Sequence, residues 1–282
     1  MSHSVKKQRL DLLLSEARPE LSRSRIQAEI MAGKVRVNGI ICDKPGTIVA
    51  SDAAIELLEP KNPYVSRGGL KIAAALENLD IDVDGSVVLD VGASTGGFTD
   101  CLLNKNARLI YALDVGYGQL ASKLRNDPRI VVMERFNIRN LKNSDLPITP
   151  DLAVIDVSFI SLSKVFPVLS NCRINQVLAL VKPQFEAGRL EADKGSGVIR
   201  DPALHSRVLS KTINNAREAK FCCRGITYSK FPGPKGNIEY FIYLVFCGEH
   251  DNEHDYDCSL NIERTVLKNV QEAHRRLSRK KI

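Results

Sequence analysis

The sequence predicts an α/β protein: a Rossmann-like, mostly parallel sheet of seven strands, preceded by a small α+β domain. Three observations carry this. Five continuous apolar runs recur after Gly68: Val87-Val88-Leu89-Asp90-Val91, Leu109 to Leu113, Ile130 to Val132, Leu152 to Ile155 and Val177 to Val181. Runs of this kind suit strands buried on both faces of a parallel sheet. Helix-length segments lie between most of them, which implies right-handed crossovers. The third observation is a boundary: Glu59-Pro60-Lys61-Asn62-Pro63 interrupts any helix or central strand and separates two different patterns.

Before that boundary the chain reads as two short helices and then short strands. Arg9 to Leu14 forms the first helix, and Ser22 opens the second, with Ile26 and Ile30 on one face. Gly33 ends it; Val35 to Gly39 follows as a strand running into a hairpin turn, and Asp43 to Gly46 is a second turn. Beyond the five apolar runs, a helix begins at Pro202. Gly225 to Tyr228 and the long apolar Tyr240 to Phe246 then close the sheet as a hairpin. Glu263 to Ile282 reads as a helix with a basic end. The expected organisation is a small domain over 1–59, a linker over 60–67, the main domain over 68–248, and an acidic loop with a basic helix over 249–282.

At 282 residues the chain holds a sizeable core, and 44% hydrophobic with 26% charged residues is ordinary for a globular protein. Forty Lys and Arg against 33 Asp and Glu give a net charge of +7, which suits a polyanionic partner. The seven cysteines are odd in number and form no CxxC pair, which reads as a reduced cytoplasmic chain. The N-terminus has no uninterrupted apolar core, and no stretch approaches the roughly 18 apolar residues of a membrane span. No membrane association and no obligate protein partner are expected.

Leu89-Asp90-Val91-Gly92-Ala93-Ser94-Thr95-Gly96-Gly97-Phe98 is a strand, a glycine-rich turn and a helix start. Glycines let the backbone pass close to a ligand, and a helix N-terminus offers free N–H groups. The spacing GxxxGG is neither GxGxxG nor a P-loop. Asp114, ending the next strand with Val115 after it, stands where an acid meets ribose hydroxyls; Asn137, after the third strand, stands where an amide meets an adenine edge. Singly, Asp114 reads equally as a helix cap and Asn137 as a turn residue. Together with Asp90, Gly92, Ala93, Ser94, Gly96, Gly97 and Phe98 they favour S-adenosylmethionine over NAD, with Asp156 at the cofactor's edge. No metal is expected.

Four charged residues stand where a parallel-sheet enzyme keeps its chemistry: Lys71 in SRGGLK, Asp156 in DVSF, Lys182 in VKPQFE and Glu239 in GNIEYF. These motifs with DVGASTGGFTD, in this order and spacing, resemble the TlyA family of rRNA 2′-O-methyltransferases, whose catalytic domain is similar to FtsJ/RrmJ. RLDLLL, SRSRIQAEIMAGKVRVNG and KPGT resemble the S4 RNA-binding fold of that family. The resemblance covers nearly the whole chain and leaves out the C-terminal stretch. It implies a class I methyltransferase fold, an S4-like first domain and a Lys–Asp–Lys–Glu tetrad around a target ribose, mapping onto Lys71, Asp156, Lys182 and Glu239. Asn137 departs from the pattern, since FtsJ-like enzymes often carry Asp there. The implied reaction is methyl transfer from S-adenosylmethionine to a cytidine ribose in ribosomal RNA.

The chemistry is consistent. A 2′-hydroxyl is a poor nucleophile until its proton leaves, and a lysine, ordinarily near ~10.4, acts as base only when neutral. A second ammonium lowers that value and carboxylates raise it; the tetrad contains both. Lys182 is the expected base and Lys71 its electrostatic partner, with Asp156 and Glu239 orienting lysines and ribose. Amino methylation usually uses an Asn/Asp-Pro-Pro-Tyr/Phe slot, and cytosine C5 chemistry a Pro-Cys nucleophile; the chain has neither.

Lys6, Lys7, Arg9, Arg23, Arg25, Lys34 and Arg36 concentrate positive charge on the first domain, and Arg67 adds one beside the tetrad. They are the candidate RNA contacts, against the plain alternative of a solvated basic face. Gly188 to Gly195 is a candidate lid or a solvent loop. Cys247, His250, His254 and Cys258 suggest zinc, but the acid-dense stretch reads better as a surface loop. Two rival functions are an RNA-binding protein without catalysis and a haemolysin-like membrane-active protein.

Overall fold

The computed structural model describes residues 6–58, 62–188, 197–248 and 261–278. Glu59 to Lys61, residues 189–196 with most of the candidate lid, the loop over 249–260 and the last basic residues (279–282) lie outside them. The chain divides into two compact units, Met1–Lys61 and Asn62–Ile282.

In the small unit, β1 (Lys7–Arg9) leads directly into α1 (Leu10–Ala17), and α2 spans Arg23–Met31. Arg9, expected as the first helical residue, instead ends β1, which pairs antiparallel with β4 (Ile48–Ala50). Leu10 and Leu14 on α1 meet Ile26 and Ile30 on α2, all buried, because a four-residue spacing lays them on one stripe of each helix. Ser22 caps α2, its Oγ accepting from Arg25 N at 3.3 Å. β2 (Val35–Val37) pairs with β3 (Ile40–Ile41) and β5 (Ile55–Leu57). Asn38 and Gly39, at φ +50° and +81°, make the tight turn between β2 and β3, which needs left-handed backbone at both positions.

The large unit is a seven-stranded sheet: β6 (Val87–Val91), β7 (Leu109–Leu113), β8 (Ile130–Met133), β9 (Leu152–Ile155), β10 (Gln176–Val181), β11 (Phe221–Tyr228) and β12 (Tyr240–Phe246). Its order is β11-β12-β10-β9-β6-β7-β8, and β12 runs antiparallel to both neighbours. Val87, Leu89 and Val91 point to one face, Val88 to the other, following the two-residue strand period. One face is covered by α3 (Arg67–Asn78), α4 (Gly97–Asn104) and α5 (Ser122–Arg125); the other by α6 (Phe166–Asn171), α8 (Pro202–Glu218) and α9 (Ile262–Ser278). Truncating a side chain as buried as Leu89, at 0% exposure, costs about 2–5 kcal/mol.

Two details depart from the sequence pattern. β11 starts at Phe221, four residues before Gly225, because its pairing with β12 continues past a bulge at Cys223/Gly225 that breaks the apolar run. Cys222 and Cys247 form a disulfide, where a wholly reduced chain was expected. The antiparallel hairpin brings together cysteines 25 residues apart that linear spacing does not connect. Among the described residues, no helix is long and apolar enough to cross a membrane.

After β8 the chain returns to the other side of β6 to form β9, so the strand order reverses between these two. In an open parallel sheet, that reversal opens a crevice at the carboxyl ends of the strands.

Candidate active site

The glycine-rich turn at the end of β6 sits in this crevice. Gly92 has φ +87°, and a Cβ there would lie 2.6 Å from the Asp156 carbonyl oxygen, so only glycine allows this approach. Gly96, at φ +95°, starts α4 against the Leu120 and Leu124 side chains. Gly97 packs on the capped start of α3, where a Cβ would meet Ser66 Oγ at 2.1 Å.

Three adjoining clefts open along this edge. One, of about 290 Å³, is lined by Arg67, Lys71, Gly92, Ala93, Ser94, Gly97, Phe98 and Asp156 among others. The second, of about 530 Å³, is bounded by Gly92, Ser94, Asp114, Val115, Asn137 and Asp156 together with Phe159. A third, of about 800 Å³, is lined by Ser158, Phe159, Lys182, Gln184 and Glu239 among others. Asp156 joins the first two, and Ser158 and Phe159 join the last two.

Asp114 is tied to the loop: Oδ2 accepts from Ser94 N at 2.8 Å and Oδ1 from Gly116 N at 2.6 Å. Asn137 Oδ1 caps a short 3₁₀ turn, accepting from Arg139 N at 3.1 Å. Asn137 therefore does the turn work its plainer reading named, whereas Asp114 ties two loops together and caps no helix; both also border the second cleft. Asp90 borders none of the three clefts. It is 0% exposed beneath the loop, Oδ2 accepts from Thr99 Oγ1 at 2.6 Å, and Oδ1 has no partner. Burial pushes this carboxyl up to about 7, against the Thr99 hydrogen bond that favours its anion.

The four charged residues form two ion pairs. Lys71 Nζ, on α3, donates to Glu239 Oε2 at 2.6 Å, with side chains 11% and 0% exposed. Lys182 Nζ, following β10, lies 2.5 Å from Asp156 Oδ1 and donates to Ser158 Oγ at 3.0 Å. The first pair crosses the clefts, with Lys71 on the first and Glu239 on the third; the second crosses them with Asp156 on the first and Lys182 on the third. Buried charges so placed demand these partners.

Sequence reading missed the residues that hold this arrangement. Gln184 Nε2 donates to Glu239 Oε1 at 3.3 Å. Gly233 lies so close that a Cβ would meet Glu239 Oε1 at 2.0 Å. Glu186 accepts from Ser161 Oγ at 2.7 Å and Leu162 N at 2.8 Å, tying the segment after β9 to α7 (Pro183–Glu186). Gln184 and Glu186 stand in VKPQFE, so the motif itself was the available signal; Gly233 had none. Phe159, at φ +66° and 91% exposed, lies 5.1 Å from Phe185 between ring centroids.

In the small unit, the candidate RNA contacts gather around two acids. Arg9 and Arg23 both bond Asp11; Arg25 and Lys34 both pair with Glu29, at 2.8 and 2.5 Å. Lys6, Lys7 and Arg36 are exposed. Among the described residues, no group of three or more His, Cys, Asp or Glu is placed to hold a metal.

The FtsJ-like methyltransferase family model matches residues 64–246, and the S4 domain model matches residues 8–55. The chain is 42% identical over 279 residues to YqxC of Bacillus subtilis, provisionally named an rRNA methyltransferase, covering 98% of this chain and 97% of YqxC. It is 46% identical over 229 residues to the 16S/23S rRNA (cytidine-2′-O)-methyltransferase TlyA of Mycobacterium tuberculosis, covering 79% of this chain and 85% of that protein. A solved structure from Streptococcus thermophilus, provisionally described as a hemolysin, matches with a TM-score of 0.71 at 36% identity, covering 98% of this chain and 99% of that one.

Proposed function

The chain belongs to the TlyA family of FtsJ-like methyltransferases, and we propose that it methylates the 2′-hydroxyl of a ribose, a cytidine's, in ribosomal RNA. S-adenosylmethionine is the proposed donor. The residues present fit it: Gly92 and Ser94 border the second cleft, with the polar side chains of Asp114 and Asn137 along its wall. Asp114, Val115 and Asn137 would hold its nucleoside end, in a cleft within the usual size range for such ligands of about 300–1,000 Å³. When bound, the group supplies a methyl on an electron-poor sulfonium.

The observation that carries the reading is the pair of crossed ion pairs at the crevice. Lys182, in its neutral amine form, takes the proton from the incoming 2′-hydroxyl and becomes the ammonium that Asp156 stabilises, with Ser158 beside it to hold Nζ in place. Lys71 contributes a fixed positive charge that stabilises the alkoxide as it forms, and Glu239, with Gln184 behind it, keeps that ammonium from swinging away. The exposed basic face of the small unit supplies sequence-independent attraction for RNA phosphates.

The test is methyl transfer from labelled S-adenosylmethionine to unmodified 30S and 50S subunits, beside Lys182→Ala. The expected product is an alkali-resistant dinucleotide carrying a ribose methyl. Its rate should fall at least about 10²-fold in the variant, with cofactor binding retained. No transfer to either subunit by the wild type would remove the ribosomal substrate. The haemolysin-like alternative draws on relatives' names alone.

A further inference from the structure

One acid of the small unit is arranged for more than holding a helix. Asp11 opens α1 with 0% exposure, and its carboxylate accepts four hydrogen bonds. Arg9 Nε and Nη2 donate at 2.9 and 3.0 Å, Arg23 Nη2 at 3.2 Å and Gln27 Nε2 at 2.8 Å. The two arginines come from different elements, the end of β1 and the start of α2, and their side chains stay 45% and 55% exposed. A buried carboxylate is satisfied by one guanidinium fork and an amide. Bringing a second guanidinium to the same carboxylate adds like-charge repulsion and leaves a net positive site at the surface. Each guanidinium carries five N–H donors, so donors remain on both for a second, external acceptor.

We propose that Asp11 is a positioning residue for RNA: it fixes Arg9 and Arg23 as a two-guanidinium clamp for one backbone phosphate. The proposal rests on the ribosomal RNA reading of function and deepens it. Its sign separates it from simple electrostatics. Removing a negative charge beside a polyanion strengthens binding, whereas loosening a pre-formed clamp weakens it. A merely structural role moves stability without splitting affinity from turnover.

The experiment uses the full chain and unmodified ribosomal subunits, comparing wild type, Asp11→Asn, Arg23→Lys and the double variant. KM for RNA, kcat, direct RNA binding and thermal melting are read for each. Asp11→Asn should raise KM about tenfold with kcat unchanged, and Arg23→Lys, which keeps the charge but loses the fork, should do the same. The double variant should be no worse than the weaker single, because both break one clamp. Equal or tighter RNA binding by Asp11→Asn, or losses that multiply in the double variant, would overturn the assignment. If Asp11→Asn melts the small unit, Arg9→Lys replaces it; that change keeps the charge and Asp11 but loses the fork on the carboxylate, and an unchanged KM would then be decisive against the clamp. A wild type that binds RNA but transfers no methyl removes the functional reading, while RNA binding still decides the clamp. A wild type that does neither removes both.

Discussion

Arg23–Asp11 in the small unit and Lys71–Glu239 in the large unit are the same device in different surroundings. Each sets a base against an acid with 0% exposure, but the Arg23 side chain is 55% exposed and that of Lys71 only 11%. A half-exposed base is solvated and screened, so its pair contributes little internally and leaves it available to an outside anion. A base only 11% exposed against a fully buried acid is far less solvated, and each charge depends more on the other. Exposure of the cation, more than the length of the contact, separates the proposed recognition surface from the proposed catalytic interior.

The largest effect expected from this contrast is that of Glu239→Ala. It strands the Lys71 ammonium and should cost about 3–5 kcal/mol of stability, along with methyl transfer. Urea unfolding of the full chain measures it, and a loss no larger than that of an exposed pair would break the comparison. Next comes pH. Burial, helped by neighbouring His274, pushes the His205 imidazole down to about 4 from 6.5. The unfolded chain then binds the extra proton between those values, so stability is undiminished above about 6.5 and falls as pH drops towards 4, by up to about 3 kcal/mol. His205 bonds Tyr240 Oη at 2.8 Å, and α8 and α9 carry the two histidines, so this slope belongs to the large unit. Melting from pH 7.5 to 4.5 should show it, and His205→Gln should flatten it; a curve unchanged by the substitution assigns the slope elsewhere. Smallest is Arg25→Gln. Its pair with Glu29 is 65% exposed on the arginine, so stability should change by less than about 1 kcal/mol. The slope of log affinity for RNA against log salt should still fall by about 1, and an unaltered slope would take Arg25 off the RNA face.

Much of this molecule was legible from short-range pattern. Gly92, Gly96 and Gly97 announced a close backbone turn because steric limits on φ act within a residue or two. The apolar runs announced β6 to β10 because burial on both faces leaves no polar alternation. Lys71, Asp156, Lys182 and Glu239 were recognisable one motif at a time.

What the sequence determined by itself was therefore the set of elements and the chemical types at their ends. Which charge faces which was decided only by the tertiary structure. Lys71 and Glu239 stand 168 residues apart and meet because β12 inserts antiparallel between β10 and β11. Asp90, read as a cofactor contact, is turned by strand alternation into the α3/α4 face and closed off beneath Gly92. Asp11 carries no signal along the chain; only the packing of β1 and α2 against α1 brings two arginines to it. Backbone sterics and side-chain period act locally and can be read along the chain. Ion pairing and burial depend on sheet order and on which helix covers which face, and these are settled only when distant segments pack together.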